Sequence, residues 1–357
     1  MIQADMVPSR LRSSGGWSLR RWVWVGVRVV GLSVVGYIGV QAVIANSAEL
    51  GGATGYLKRV NPLWILGAVV VEALSYLASS LMQRRLLRVG GARIPLAQVA
   101  AINLAGAAIN SCIPGGGPLA AAFSYRQLRR RGADHAVTTW TIVAVTTLTA
   151  VTLGGVALVG LAIAGADGPV GGLWPLLALL VIGPIIGVTA LLRPKMIASV
   201  CVRVLRRSRR LVGHPRTEPN AFIAPLLARL EAVTPRPSDW ASGAGFALTS
   251  WIADCGCLVA AFAAVGAVVP WRHLLVAYGA AQVATNVPIT PGGVGVVEGS
   301  LTLALVTYGG PTEQTVAAVL LYRIISFWAG LPIGWLAWLG LRAHARRHPH
   351  DLSRAAS

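Results

Sequence analysis

Long apolar stretches separated by short polar segments dominate this chain. The apolar runs cover residues 22–46, 62–82, 95–123, 134–165, 172–192, 240–269, 272–308 and 314–341. Each is about as long as, or longer than, the roughly 20 residues that a helix needs to cross the hydrocarbon core of a membrane. The weak alternation of a membrane β-barrel is absent. The pattern therefore predicts an all-α, polytopic helical membrane protein.

The composition agrees with a membrane protein and leaves little chain for a soluble catalytic domain. The chain is 55% hydrophobic and 12% charged, with a mean hydropathy of +0.66. Its formal net charge of +19 would suggest nucleic acid as a partner in a soluble protein. Here the basic residues cluster between apolar runs. We expect them to orient the chain and to contact anionic inner-leaflet lipids, and we expect no nucleic acid partner.

The first apolar run resembles a signal peptide, because Arg10, Arg12, Arg20 and Arg21 precede it. It continues to about Asn46, which is too long for the apolar part of a signal peptide. We therefore interpret it as a first membrane helix.

The basic content of the loops assigns them to sides of the membrane. Most of the 31 Lys and Arg residues lie in segments 1–21, 83–94, 124–133, 193–239 and 342–357. The other loops contain Lys58 and Arg59. The positive-inside rule places the basic group in the cytoplasm. We expect a multi-pass plasma-membrane protein with one transmembrane domain at 22–341, cytoplasmic tails at 1–21 and 342–357, and a basic cytoplasmic loop at 193–239.

Two apolar runs begin and end on the same side under this assignment. Run 95–123 returns to the basic side and run 272–308 returns to the opposite side. Each contains a Pro-Gly cluster, "NSCIPGGGP" at 110–118 and "NVPITPGGVG" at 286–295. A hairpin that enters, breaks and returns inside protein explains both features. We expect six full crossings plus two re-entrant helical hairpins, although run 272–308 is also nearly long enough for two short crossings.

The order of these elements repeats. Residues 22–165 and 172–341 each read crossing, crossing, hairpin, crossing, and the two halves start on opposite sides of the membrane. This is an inverted-topology repeat, an arrangement that places broken helices and binding sites near the bilayer midplane.

Ionisable residues inside apolar runs are the first candidates for function. Glu72, Asp254, Glu298 and Arg323 lie deep in their runs, whereas Arg28 is close enough to the cytoplasmic end to extend its side chain to water. Three acids and one arginine do not form neutral pairs, so we expect Glu72, Asp254, Glu298 and Arg323 to line a substrate or ion pathway. The alternative is a structural bridge between Arg323 and a carboxylate.

The Pro-Gly clusters are candidates for binding lipid phosphate through free backbone N–H groups. These candidate residues are Pro114, Gly115, Gly116, Gly117, Asn286, Pro291, Gly292, Gly293 and Gly295. The alternative is close helix packing and chain reversal, which glycine permits. Arg126 and Arg129 could anchor headgroups beside the first cluster, or could serve as ordinary anchors on the inner face.

The sequence offers no cofactor or metal chemistry. Cys112, Cys201, Cys255 and Cys257 lack metal-ligand spacing, and the six histidines fall in loops, in tails or at the first two residues of an apolar run. No Gly-x-Ser-x-Gly elbow or nucleotide-binding loop is present. We therefore expect a transporter rather than an enzyme.

The string "NVPITPGGVGVVEGSLTLALVTYGG", followed by "AAVLLYRIISFWAGLPIGW", resembles the flippase-like membrane domain of lysylphosphatidylglycerol synthases. The resemblance covers most of 22–341 and points to Pro291, Gly292, Gly293, Gly295, Glu298 and Arg323, and less directly to Asp254 and the hairpin around Pro114. It implies a helical domain that moves lipids between leaflets. The chain would be a stand-alone member without the soluble synthase domain. The first hairpin lacks the acidic residue expected after its glycines.

These observations predict a membrane lipid translocase that moves a phospholipid or another lipid-linked headgroup through a cavity between two hairpins. Two alternatives stay open at this point. The first is an intramembrane lipid-headgroup transferase, and the second is a non-transporting subunit of a cell-envelope synthesis complex. Membrane phospholipids are the expected partners, with a second copy of the chain or envelope-synthesis enzymes as further candidates.

Overall fold

The computed structural model describes residues 55–56, 60–164, 182, 185–189, 233–285 and 290–347. These residues belong to one compact unit, Ala48–Ser357. Several sequence predictions lie outside the described residues: the tail 1–21, the run 22–46 with Arg28, most of the run 172–192, most of the loop 193–239, Asn286 and residues 348–357.

The described part of the chain consists of helices and their connections and contains no strand. The helices are α1 (Pro62–Val89), α2 (Leu96–Cys112), α3 (Gly117–Arg129), α4 (His135–Ala164), α5 (Pro237–Val265), α6 (Trp271–Ala284), α7 (Val296–Thr307), α8 (Thr312–Arg323) and α9 (Gly330–Arg347). A 3₁₀ turn at Pro291–Gly293 precedes α7, and a π-helical turn at Ile324–Trp328 joins α8 to α9. The prediction of a helical membrane protein is confirmed at this level.

Four of these helical segments are long and apolar enough to cross a membrane. They are α1, α4, α5 and the continuous segment Thr312–Ala343 that contains α8 and most of α9. Large apolar side chains remain exposed along them, for example Leu66 on α1 and Leu336 on α9. Exposed apolar faces of this kind are stable in contact with lipid tails, so burial inside the protein is not needed.

Four other helices are much shorter. Helices α2 and α3 have 17 and 13 residues, and α6 and α7 have 14 and 12 residues. At a rise of 1.5 Å per residue they are about 18 to 26 Å long. None of the four alone matches a hydrocarbon core of about 30 Å. They occupy the two runs in which the sequence predicts hairpins.

Helix α1 continues past the end that hydropathy predicts, from residue 82 to Val89. Its N-terminus follows directly from the sequence. The side-chain oxygen of Asn61 caps the helix by accepting from the N–H of Leu63, and Pro62 occupies the first turn. The added turns contain Arg84, Arg85 and Arg88. Long basic side chains at a helix end extend into water, so a helix continues where an apolar run stops.

Helix α5 lies at the centre of the described helices. It packs along α1 and also contacts α4 and α8. Half of the residues in its apolar 18-residue stretch are buried inside the protein, compared with 28% in the corresponding stretches of α1 and α4. Asp239 in its first turn pairs with Arg85 of α1 at 2.7 Å, which ties the ends of these two helices together. The central position of α5 explains how Asp254 can be distant from lipid.

The short helices pack against the long ones in two matching pairs. Helix α2 packs on α9, and α6 packs on α4. Each contact depends on a glycine of the long helix. A Cβ at Gly160 of α4 would lie 2.7 Å from the Cβ of Leu275 in α6, and one at Gly334 of α9 would overlap the backbone of Leu104 in α2. Glycine allows these helix axes to approach closely.

Candidate functional site

A polar cavity of about 240 Å³ lies between α1, α5, α6, α7, α8 and the π-helical turn. Its polar lining residues are Glu72, Ser75, Tyr76, Ser79, Ser250, Trp251, Asp254, Gln282, Tyr322, Arg323 and Ser326. Three of the four predicted pathway residues, Glu72, Asp254 and Arg323, thus meet in one space. The fourth, Glu298, lies behind Arg323. Such a polar space is costly within apolar helices unless it serves a ligand, water or an ion.

The carboxylate of Asp254 is held by three neutral donors. It accepts hydrogen bonds from the hydroxyl of Tyr278, from Gln282 Nε2 at 2.7 Å and from the hydroxyl of Tyr322 at 3.1 Å. These donors come from α6 and α8, so Asp254 of α5 is the point at which three helices are joined. Hydrogen bonds to a charged acceptor are stronger than neutral ones and fix its position.

Glu72 lies beside Asp254, because α1 packs along α5. Its side chain is 7% exposed, and its Oε2 atom is buried without a hydrogen-bond partner in the described part of the structure. A hydroxyl pair at the same level, Ser75 and Ser250 at 3.1 Å, joins α1 to α5. The cavity therefore brings together two acids and several hydroxyl groups.

Glu298 and Arg323 form an ion pair, which is the structural bridge that the sequence offered as an alternative to a pathway. Arg323 Nε donates to Glu298 Oε1 at 2.7 Å, and Arg323 Nη2 donates to the carbonyl of Gly292 at 3.1 Å. The other carboxylate oxygen of Glu298 accepts from the N–H of Gly295 at 2.7 Å and caps α7. One arginine therefore fixes both the turn at Pro291–Gly293 and the helix that follows it.

The turn at Pro291–Gly293 is held between the last helix and the first Pro-Gly cluster. The guanidinium of Arg323 stacks on the ring of Phe327, 4.3 Å from its centroid. A Cβ on Gly292 would overlap that ring and would lie 3.1 Å from the carbonyl oxygen of Ser111, near the end of α2. The two Pro-Gly clusters, which are far apart in sequence, thus approach each other beside the cavity.

The family description "Lysylphosphatidylglycerol synthase TM region" matches residues 23–334. The chain belongs to this family. The family that the motif around Pro291 and Glu298 suggests is therefore confirmed. Membership of this family relates the chain to membrane proteins that modify or translocate lipids. No curated protein matches the chain.

Hydropathy does not reveal the π-helical turn that directly follows Arg323 in this lysylphosphatidylglycerol synthase TM region. Between the motif arginine, Arg323, and α9, the chain forms a π-helical turn. The hydroxyl of Tyr76 in α1 donates to the carbonyl of Ser326 in this turn at 3.4 Å. π-Helical turns of this kind often occur at functional sites, because they redirect side chains and free backbone carbonyls. Here the turn directs Ser326 and Phe327 into the cavity lining.

Three backbone N–H groups of the two Pro-Gly clusters are hydrogen-bonded within the protein. Gly293 N–H donates to Thr290 O, Gly295 N–H donates to Glu298, and Gly116 N–H donates to Ile113 O. Gly116 also approaches the backbone of Asn110 too closely for a side chain. Close packing at Gly116 and Gly292 is one of the two interpretations that the sequence left open. Contact of the clusters with lipid phosphate stays a prediction.

The basic segment after the first cluster belongs mainly to helix α3. Arg126 is exposed, whereas Arg129 Nη1 donates to the carbonyl of Ala133 at 2.6 Å and so helps to form the turn after α3. Arg131 bonds Gln98 and Gln127, and its burial lowers the pKa of its guanidinium. Arg126 therefore presents the freer basic side chain of the two predicted headgroup anchors.

A second, basic cavity of about 740 Å³ lies at the end of α1. Arg84, Arg88, Arg93 and Pro95 contribute to its lining. The sequence predicts a basic segment here but no concave surface. The concavity arises because α1 continues to Val89 and the chain then turns at Gly90 and Gly91 into α2.

Several polar residues of the first cavity are absent from the sequence prediction. Tyr278, Gln282, Tyr322, Ser75 and Ser250 all lie inside apolar runs, where single neutral polar residues are common and carry little signal. Their spacing does contain a hint. Tyr278 and Gln282 are four residues apart, as are Ser75 and Ser79, so each pair shares one helix face.

Proposed function

We propose that this chain is a lipid translocase in which a lipid headgroup passes through the cavity at Glu72, Asp254 and Arg323 while the acyl tails stay in the bilayer. The observation that carries the proposal is the cavity itself, a polar space with two acids and an arginine among membrane-crossing helices. Its volume of about 240 Å³ is below the roughly 300–1,000 Å³ of sites that enclose whole drug-sized ligands. It suits a headgroup rather than a complete lipid.

The arrangement of helices supports two further parts of this proposal, the inverted repeat and the re-entrant hairpins. The two proposed halves have matching contacts. Helix α1 corresponds to α5, α2 to α6, α3 to α7, and α4 to the segment α8–α9. Under this correspondence the contact between α2 and α9 matches the contact between α6 and α4. The contact between α1 and α5 joins the two corresponding helices themselves. The short pairs α2–α3 and α6–α7 then correspond to hairpins that enter and leave on one side.

Charge suggests how a headgroup is recognised in this proposal. The acids at Glu72 and Asp254 attract cationic groups, and the arginines around the basic cavity attract phosphate. Arg84, Arg88 and Arg93 line that cavity at the end of α1 that we expect to be cytoplasmic. A phospholipid of the inner leaflet would meet the basic cavity first and the acidic one at greater depth. Anionic lipids of the inner leaflet are therefore the proposed partners.

The test is a translocation assay in liposomes with headgroup-labelled phospholipids and the purified full chain. We expect the wild type to exchange label between leaflets. Glu298→Gln and Arg323→Ala should slow exchange about tenfold or more. The first leaves the buried Arg323 unpaired and the second leaves the half-buried Glu298 unpaired, and a loss of about 1.4 kcal/mol already corresponds to a factor of ten. Glu313→Gln and Arg272→Ala change exposed residues of the same types and should behave like the wild type.

Two results would contradict the proposal. An unchanged leaflet distribution with wild-type protein would remove the transport function and leave a headgroup transferase or a non-transporting subunit as explanations. Equal exchange by the wild type and by both Glu298→Gln and Arg323→Ala would mean that the lipid does not pass this site.

A further inference from the structure

The two acids that line the cavity, Glu72 and Asp254, form no ion pair with the neighbouring Arg323. Glu72 is 7% exposed and Asp254 is 9% exposed, and the two side chains are neighbours. Two negative charges placed side by side in a poorly hydrated environment repel each other and lose their hydration. The protein must therefore supply a positive charge, or the site must take one from outside.

The nearest arginine is already engaged. Arg323 uses Nε for Glu298 and Nη2 for the carbonyl of Gly292. Within the described residues, the charged and titratable side chains that interact with the acid pair are Tyr76, Cys255, Cys257, Tyr278, Tyr322 and Arg323. Arg323 is the cation in this set, and its ion pair with Glu298 is neutral as a whole. The charge of Glu72 and Asp254 together thus remains uncompensated by any ion pair in the described part of the chain.

The oxygen atoms of the two acids differ in their partners. Asp254 receives hydrogen bonds from Tyr278, Gln282 and Tyr322. Glu72 has a buried Oε2 atom without a partner in the described structure, and the residue lines the cavity. An unpartnered buried carboxylate oxygen costs free energy unless something binds it. Ser75 and Ser250 supply hydroxyl oxygens on the same two helices, α1 and α5.

We propose that Glu72 and Asp254 together bind one small monovalent cation, a proton or a sodium ion, that exchanges through the cavity. Carboxylate and hydroxyl oxygens are the ligands that hard cations prefer, and a buried carboxyl pair also holds a proton. The coupling of this cation to lipid movement rests on the proposed function, whereas the binding site does not. Exchange of the cation would change the charge that a lipid headgroup meets beside Arg323.

The experiment measures cation binding by the purified full chain in detergent. Sodium chloride is titrated against choline chloride at constant ionic strength and followed by calorimetry. In parallel, infrared difference spectra follow the carbonyl band of a protonated carboxylic acid during a pH titration. We expect the wild type to show either one saturable sodium site or one titrating buried carboxyl pair. Either signal should be lost, or weakened at least tenfold, in Glu72→Gln and Asp254→Asn, and retained in Glu313→Gln.

Thermal stability gives a second readout that does not depend on a binding signal. In choline chloride at high pH, Glu72→Gln should unfold at a higher temperature than the wild type, because it removes an uncompensated buried charge. Added sodium or a lower pH should close this difference by stabilising the wild type. Glu72→Asp keeps the charge and tests whether the variants fold. A lower unfolding temperature for Glu72→Gln under all conditions would indicate a purely structural acid and would contradict the proposal.

Other outcomes separate this site from the transport function. If neither sodium nor a proton binds while an organic ammonium such as ethanolamine does, the acids belong to the headgroup path and the cation site is disproved. If the cation binds but the liposomes show no lipid exchange, the cation site stands and the translocase does not. If lipid exchange depends on Glu298 and Arg323 but not on sodium, pH or Glu72, the translocase stands and the coupling of the cation to lipid movement is disproved, while the binding experiment alone decides the cation site.

Discussion

At the scale of single residues, the three carboxylates of the site have two kinds of surroundings. Glu298 is fixed between Arg323 and the N–H of Gly295, so it holds α7 and the turn before it in place. Asp254 is held by neutral donors, Glu72 lies beside it, and both face the cavity. The first arrangement is typical of a structural ion pair. The second resembles the ionisable groups that line ion and substrate pathways in membranes.

Gly292 shows how closely the turn is packed. Its φ of 58° requires glycine, and a Cβ there would overlap Phe327. We expect Gly292→Ala to destabilise the protein by about 1–3 kcal/mol for the unfavourable backbone and by about 1–3 kcal/mol more for overpacking. Gly295→Ala has a similar positive φ of 82° but open space around it, so it should show the backbone cost alone.

The measurement is the unfolding temperature of both variants in the same detergent. Equal losses for Gly292→Ala and Gly295→Ala would contradict the close packing of the turn against Phe327. The carbonyl of Gly292 accepts from Arg323, so we also expect Gly292→Ala to slow lipid exchange more than Gly295→Ala.

At the scale of elements, small residues decide which helices can pack closely. Gly334 brings α9 against α2, and Gly160 brings α4 against α6. The driving force of apolar burial is weak between helices surrounded by lipid, so close packing of this kind contributes much of the stability. A glycine inside a helix is itself unfavourable, which agrees with its use where another backbone is in contact.

Two substitutions in α9 test this role. Gly334→Ala places a Cβ against the backbone of Leu104 and 2.7 Å from the Cβ of Ala108, so we expect it to destabilise the protein by about 1–3 kcal/mol. Gly340→Ala has no neighbour within 4 Å and should be neutral or stabilising by up to about 1 kcal/mol. Thermal unfolding of the two variants gives the comparison. A loss at Gly340 as large as that at Gly334 would mean that the helix interior, not the contact with α2, is sensitive.

At the scale of the whole molecule, the four short helices and four long segments of the described residues pack together around apolar cores, and one polar cavity lies among α1, α5, α6, α7 and α8. The two Pro-Gly clusters meet beside the cavity, although about 180 residues separate them in the sequence. If the proposed repeat is correct, one cluster faces each side of the membrane. A lipid headgroup would then have a path to the cavity from either leaflet.

Cysteine labelling on a background without natural cysteines tests this topology. We expect Gln127→Cys, at the end of α3, to react with an impermeant reagent from the cytoplasmic side. Val268→Cys lies between α5 and α6, where the natural side chain is 75% exposed, and should react from the outer side. The inverted repeat requires opposite sides. Labelling of both positions from one side would disprove it.

The sequence by itself determined the class of protein, the family and most helix positions. Apolar length is a local property, and it defined α1, α4, α5 and the segment α8–α9 to within a few residues of the structure, with α1 longer at its basic end because arginine side chains reach water. The two Pro-Gly clusters also interrupt their runs, at Cys112–Gly117 and before α7, as glycine and proline require.

Tertiary structure decided which charges meet. The sequence identified Glu72, Asp254, Glu298 and Arg323 but left the pairing open, because pairing depends on helix rotation and on the approach of α1 to α5. The structure pairs Arg323 with Glu298 and leaves Glu72 beside Asp254 in the cavity. The partners Tyr278 and Gln282 come from the next helix, α6, and Tyr322 comes from α8. The packing of these helices against α5 selects them. The π-helical turn at Ile324–Trp328 likewise has no sequence signal, and its contacts with Tyr76 of α1 and with Gly292 are tertiary.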